Sequence, residues 1–345
     1  MRILMILLVL SMLVIPVSAV EFTAPEAPDF ADDYMPEETE SFGKGLLEIL
    51  RNAVTSLTPD LAEAGRVCLR IFAVVLMISV LRSFDGDTKR AVELTGSVAI
   101  GSIMLLSTNS LLNLAAETVM QISSYGKLLL PVMTGATAAQ GGLTASAALY
   151  TGTAFFNAIL STAISSILIP LAYVYMALTI GNHALGEDLL KKLQEFVKWL
   201  ITWFLKTVLY IFTGYMGITG VIAGSADAAT LKATKLTISG MVPVVGGILA
   251  DASESVLVGA GLMKNAAGVY GLLAILSVCI GPFLKIGVQY LLLKLTAAIY
   301  SVFDVKNSSK LVQDFSGTMG LLLGMTGSVC LLMMISIICF LKGVG

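Results

Sequence analysis

The strongest constraint on this chain is a series of apolar runs with almost no charge. They lie near Val67–Phe84, Val92–Leu112, Ala147–Ile180, Trp199–Ile222, Ala266–Phe303 and Met319–Phe340. Each approaches or exceeds the roughly 20 residues that cross a bilayer core as helix. Only 13% of the 345 residues are charged, against about 25% in ordinary globular domains. The mean hydropathy is +0.90. Short alternating segments of the kind that build a membrane barrel are not evident. The fold class expected is therefore an all-α polytopic membrane protein. The runs holding Pro170 and Pro282 exceed one span but barely allow two. Read as single kinked helices they give six transmembrane helices; read as hairpins they give eight. Some elements between them are expected to be broken or re-entrant.

The stretch before the first run divides further. Residues 1–19, "MRILMILLVLSMLVIPVSA", place Arg2 before an apolar core and small residues at Ser18 and Ala19. This is the pattern of a secretory signal peptide; an uncleaved anchor is the alternative. Residues 20–41 are acidic and proline-rich, with no Lys or Arg, and read as a flexible extracytoplasmic tether. Residues 42–58 carry Leu46, Leu47, Ile49, Leu50, Val54 and Leu57 at helical spacing. They are expected to form an amphipathic helix on the membrane surface or against the bundle. Residues 59–345 make the multi-pass domain. With the tether outside, the turns bearing Lys89 and Arg90, Lys191 and Lys192, and Lys306 and Lys310 all fall on the cytoplasmic side. Lys127, Lys232, Lys235 and Lys264 fall on the other.

One segment is too polar for a span and too rich in small residues for a plain loop. From Gly224 to Ser255 it carries Asp227, Lys232, Lys235, Asp251 and Glu254, with Pro243, Gly246 and Gly247 placed to break a helix. Lys232 and Lys235 would share one helical face, and the alanines would let neighbouring helices approach. Two short helices dipping into the bundle would make a gate or a partner-docking element; a packed pair on the surface is the plainer alternative. Pro131 and Pro170 repeat the spacing of Pro243 and Pro282, and "PVMTG" at 131–135 aligns with "PVVGG" at 243–247. This is either an internal repeat or chance. Among lysines inside the runs, Lys206 and Lys294 lie close enough to an end to snorkel. Lys285, beside Pro282, is the candidate to face a cavity, and Pro282, Pro131 and Gly135 are the other positions that could face one.

Catalytic parts are missing from the sequence. His183 is the only histidine, which removes the H-E-x-x-H zinc site, and no Walker loop occurs. No G-x-S-x-G context accompanies a serine. Cys68, Cys279, Cys330 and Cys339 lie in or beside apolar runs without metal-ligand spacing, so neither a disulfide nor a metal site is expected. The chain reads as no enzyme, with no cofactor and no nucleic-acid partner; its surroundings are the lipid bilayer.

The stretch "SADAATLKATK" at 225–235, followed by "MVPVVGGILADASESVL" at 241–257, resembles the hallmark of the stage III sporulation protein AE family. That resemblance implies an endospore-forming bacterium and a protein in the mother-cell membrane around the forespore. It implies membership of the stage III sporulation A complex, with its ATPase and ring-forming members, and indirectly a forespore membrane partner. Within such a complex the chain would be a permease- or export-gate-like core of a channel or secretion-like conduit needed for forespore development. An autonomous secondary transporter and a non-conducting assembly scaffold are the alternatives.

Overall fold

The computed structural model describes residues 24–39, 41–82, 89–185, 188–241, 246–302 and 306–342, with side chains within 24–39, 41–81, 91–185, 189–219, 264–301 and 307–342. After a 3-10 turn at Asp29–Ala31 come helices α1 (Phe42–Thr55), α2 (Leu57–Arg82), α3 (Lys89–Ala139) and α4 (Leu143–Ala163). A π-helical segment, Ile164–Leu168, joins α4 to α5 (Ile169–Leu185). Then follow α6 (Asp188–Met241), α7 (Gly246–Val302) and α8 (Lys306–Lys342). No strand occurs among the described residues. Six helical stretches are long and apolar enough to cross a membrane, α4 and α5 counting as one. The chain is an all-α polytopic membrane protein.

Helices α7 and α8 form the most extensive pair, and α3 lies against both. The apolar windows of α7 and α8 are 61% buried, those of α2 and α6 only 28%. The central layer is thus α3, α7 and α8, with α4, α5 and α6 on one flank and α1 and α2 on the other. Glycines set the spacing inside the centre: a Cβ at Gly271 would come within 2.5 Å of Leu129, and one at Gly126 within 2.5 Å of Met333. Such close approach lets apolar helices gain dispersion contacts where no hydrophobic effect pulls them together.

Successive helices run up and down. The Arg82/Lys89, Leu185/Asp188 and Val302/Lys306 ends therefore gather at one end of the bundle. Its side chains interlock there: Asn307 Nδ2 donates to the His183 carbonyl at 3.1 Å and to Ser97 Oγ at 3.4 Å. His183 Nδ1 faces Asn307 Oδ1 at 3.0 Å and its Nε2 faces Asp314 Oδ2 at 2.8 Å. His183, expected as a simple interfacial residue, has a side chain only 7% exposed and ties α5 to α8.

Three features depart from the sequence reading. The second span was expected to stop near Leu112, yet α3 continues to Ala139, 51 residues in all. The threonine hydroxyls of the polar stretch do not break it, because they bond back into the helix. Thr118 donates to Leu114 O, Thr134 to Leu130 O and Thr137 to Met133 O, at 2.6–2.8 Å. The stop comes at Gly141, whose φ of 92° suits glycine. Gly142 N donates to Thr137 O and Gly141 N to Ala138 O, the paired bonds of a Schellman cap.

The second departure lies between the two prolines expected to kink their helices alike. The run through Pro170 is one long stretch, as expected; Pro170 lacks an N–H and its ring would press on the carbonyl of Ser166, and the helix widens there into the π segment Ile164–Leu168. Pro282 instead sits within continuous α7. Of the two aligned segments, "PVMTG" lies inside α3 while Gly246 and Gly247 open α7. The aligned positions thus occupy different places in their elements.

The third concerns the acidic segment. Residues 24–39 are packed on the bundle and are not a solvated tether. Ala31 is fully buried, and Ala24, Ala27, Phe30 and Met35 pack against the core. Tyr125 Oη donates to Pro25 O at 3.4 Å. A Cβ at Gly281 would come within 2.6 Å of the Tyr34 ring, so the glycine admits that side chain. The apolar residues interleaved with the acids supply the buried face, which net charge alone conceals. Residues 1–19, expected as a signal peptide, lie outside the described residues.

Candidate functional site

Charged side chains meet between α2, α3 and α7. On α2, Asp60 and Glu63 are three apart and share a face. Lys285 of α7 reaches both, 3.6 Å from Asp60 Oδ1 and 3.0 Å from Glu63 Oε2. Asp60 is 20% exposed and Lys285 32%, so the pair is shielded but not dry. Tyr34 packs nearby; burial, then the Asp60 and Asp33 carboxylates, push its phenol pKa above the ordinary value. Ser107 and Ser110 of α3 and Gln289 of α7 complete the wall around Lys285. Gln289 is 4% exposed, and its Nε2 has no partner among the described residues.

The seam continues along α2. A groove of about 430 Å³ runs between α2 and α3, lined by Glu63, Arg66, Arg70, Ile103, Ser107 and Ser110 among others. Arg66 donates from Nε to Ala62 O at 3.3 Å, and both arginines are exposed on the outside of the bundle. Depth makes them costly. Counted from the basic end at the helical rise, Arg70 stands about 18 Å along α2, Arg66 about 24 Å and Glu63 about 28 Å. On the other helices Ser107 stands at about 27 Å and Lys285 at about 26 Å. The hydrocarbon core of a bilayer is about 30 Å thick, so Arg70 sits near its middle and Arg66, Lys285, Ser107 and Glu63 toward its outer boundary. Ionisable residues there mark polar pathways more often than structure.

Further along the same face of α3 lie Glu117, Gln121 and Ser124. With Glu26 and Asp29 of the packed N-terminal segment they line a cavity of about 480 Å³. Glu117 is about 42 Å from the basic end of α3, beyond a bilayer that begins at that end. An acidic vestibule thus stands over the side of the bundle that holds the seam. A separate crevice of about 590 Å³ opens between α6, α7 and α8, walled by apolar residues and glycines with Lys206 as its charged group. Thr202, Ser328 and the thiols of Cys279 and Cys330 also line it.

Of the residues singled out in the sequence, the structure draws Lys285 into the seam. Pro282 lies nearby on the same helix and is buried. Pro131 is exposed and Gly135 half-buried; both lie on α3 about 30 Å or more beyond Ser110, away from Lys285. Asp227, Lys232 and Lys235 fall on α6 and Gly246, Gly247, Asp251 and Glu254 on α7, but their side chains, and Pro243 altogether, lie outside the described residues. Sequence reasoning missed Asp60, Glu63, Arg66 and Arg70. Their recurrence every three to four residues at the head of an apolar run was the available signal. Among the described residues no group of three His, Cys, Asp or Glu side chains is placed to hold a metal.

Fold and seam together define the class: a multi-pass helical membrane protein with ion-paired side chains at membrane depth. Its sequence fixes the family. Residues 32–343 match the family model of stage III sporulation protein AE, and the chain belongs to that family. It is similar to the stage III sporulation protein AE of Bacillus subtilis (strain 168), 25% identical over 236 residues, which cover 68% of this chain and 58% of that relative. The chain thus spans a little over half of that relative's length. No solved structure matches it.

Proposed function

We propose that this chain is the membrane core of a channel- or secretion-like conduit within the stage III sporulation complex, with the seam of Asp60, Glu63, Arg66, Arg70 and Lys285 facing the path. The observation that carries this reading is the charged, serine-lined groove that enters the membrane from its outer face, with Arg70 nearest the bilayer centre, where lipid would penalise an ionised group by about 2.5–3.5 kcal/mol on insertion scales. A watery path removes that penalty. Nothing in the sequence supplies nucleotide-driven chemistry or a catalytic constellation, so the chain is read as no enzyme. Driving energy would come from a partner, for which the ATPase and the ring-forming members of the complex are the proposed sources and neighbours.

The basic end is assigned to the cytoplasm of the mother cell by its lysines and arginines. The N-terminal segment and the α3–α4 connection then face the space toward the forespore. On that side the 224–255 stretch, with Asp227, Lys232, Lys235, Pro243, Gly246, Gly247, Asp251 and Glu254, is proposed as gate or docking element. Pro282 is proposed to shape the wall beside Lys285, while Pro131 and Gly135 belong to the outer part of α3.

The test is thiol accessibility in sporulating cells, with the four native cysteines replaced by serine. Single variants Ile103→Cys and Ser107→Cys, about 21 and 27 Å from the basic end of α3, are expected to react with a small membrane-impermeant thiol reagent, whereas Trp199→Cys, exposed on α6 at about 16 Å, stays slow. Positions along 224–255 are expected to alternate with helical period. Silent seam positions would remove the conduit; uniform strong labelling along 224–255 would make that stretch a solvated docking loop.

A further inference from the structure

Three sulfur atoms converge on the crevice between α6, α7 and α8. Cys279 stands on α7, Cys330 and Met334 on α8, and all three line it. The two cysteines lie at one level, each about 35 Å from the basic end at the helical rise. Their thiols are within hydrogen-bond reach of each other across the α7–α8 seam. Cys330 Sγ is also 3.9 Å from Met334 Sδ, one turn along the same helix. Sequence spacing conceals this group, because its members come from two helices and one of them is a thioether. The crevice beside the sulfurs is open, with a volume of about 590 Å³. A Cβ at Gly324 or Gly327 would meet nothing nearer than 3.6 Å. Helix approach therefore does not require those glycines, and their missing side chains keep the crevice open.

We propose that Cys279, Cys330 and Met334 form a binding site for a soft monovalent metal ion, Cu(I). Thiolate and thioether ligands select soft ions, whereas magnesium and calcium want oxygen. The described lining of the crevice holds no carboxylate or imidazole, and zinc would want a fourth ligand. Metal–sulfur bonds of about 2.3 Å set at about 120° place sulfurs about 4.0 Å apart. The 3.9 Å between Cys330 and Met334 meets that spacing, so the ion needs no movement of α8. Binding replaces two S–H bonds by two Cu–S bonds and releases both protons to solvent, while the copper stays Cu(I). The bound unit carries one negative charge, and Lys206, the charged side chain of the crevice, offsets it. The level of the cysteines is close to the outer boundary of the hydrocarbon, within reach of an ion entering from the outer face. None of the seam residues takes part, so this site stands independently of the conduit.

The experiment uses the full-length protein in detergent, reduced and without oxygen, titrated with Cu(I) in competition with bicinchoninate. One equivalent per chain is expected to bind, and X-ray absorption should show only sulfur neighbours, at about 2.3 Å. Cys279→Ser and Cys330→Ser are each expected to abolish the competition, and Lys206→Gln to weaken it about tenfold. Met334→Leu should cut the sulfur shell from three to two, while Cys68→Ser with Cys339→Ser changes nothing. Thermal unfolding of each metal-free variant shows that it is folded, and the absorption spectrum of the unsubstituted protein reads the ligands without any variant. Binding retained in Cys279→Ser with Cys330→Ser overturns the site and leaves adventitious copper on other sulfurs. Nitrogen or oxygen neighbours in the unsubstituted protein overturn it as well. So does a failure to compete after reduction; a Cys279–Cys330 disulfide trapped from cells would then make the pair a redox staple between α7 and α8.

Discussion

At the residue scale the decisive side chain is Lys285. In a lone span it would be an expensive cation, but it is engaged by Asp60 and Glu63 across two helices. Removing it strands two carboxylates at partial burial, so Lys285→Met is expected to destabilise the purified protein by roughly 1–3 kcal/mol. Asp60→Asn with Glu63→Gln, added to that change, should recover part of the loss. Thermal unfolding in detergent reads both, and no recovery would show that Lys285 acts through packing alone. His183 illustrates how little a residue type says by itself. The same imidazole would be a solvated surface group at a frayed helix end. Here Asn307 and Asp314 hold both ring nitrogens and Ser97 holds Asn307 in turn.

At the element scale, helix continuation is what sequence punctuation misjudged. Small and hydroxylated residues over 113–139 look like a break, but inside an apolar bundle the hydroxyls of Thr118, Thr134 and Thr137 each find a carbonyl one turn back. Gly141 and Gly142 were legible as a stop. Proline was ambiguous, since Pro170 accompanies a π segment while Pro131 and Pro282 ride within continuous helices. Contacts between elements rest on glycines whose role appears only in three dimensions. A Cβ at Gly152 would come within 2.0 Å of the Tyr215 ring, whose hydroxyl donates to Ala148 O at 3.0 Å. Gly152→Val is therefore expected to pry α4 from α6 and cost about 1–3 kcal/mol. Gly217→Val, with nothing within 4 Å, should leave the unfolding midpoint within a degree or so of the parent. Equal effects at both sites would refute the contact.

At the scale of the whole molecule, the N-terminal segment roofs the α3 side of the bundle and contributes Glu26 and Asp29 to the acidic vestibule. Replacing residues 24–39 by a Gly/Ser linker of equal length is expected to raise impermeant-reagent labelling of Tyr125→Cys, a position 2% exposed beneath that segment, several-fold. Unchanged labelling would mean that the segment does not cover that face. The sequence by itself determined that the chain is a polytopic helical membrane protein, because transfer of apolar side chains from water is a local property that adds along the chain; the choice of six spans over eight came from the structure. It also marked the basic end, since charge near helix ends is read one residue at a time. It carried the family resemblance in the 225–257 stretch. Only the tertiary structure decided which charges meet. Asp60 and Lys285 lie far apart in the chain, and their pairing depends on the angle at which α2 crosses α7. The docking of the acidic segment was decided there too, because a few interleaved apolar side chains outweigh its charge only where a groove exists to receive them.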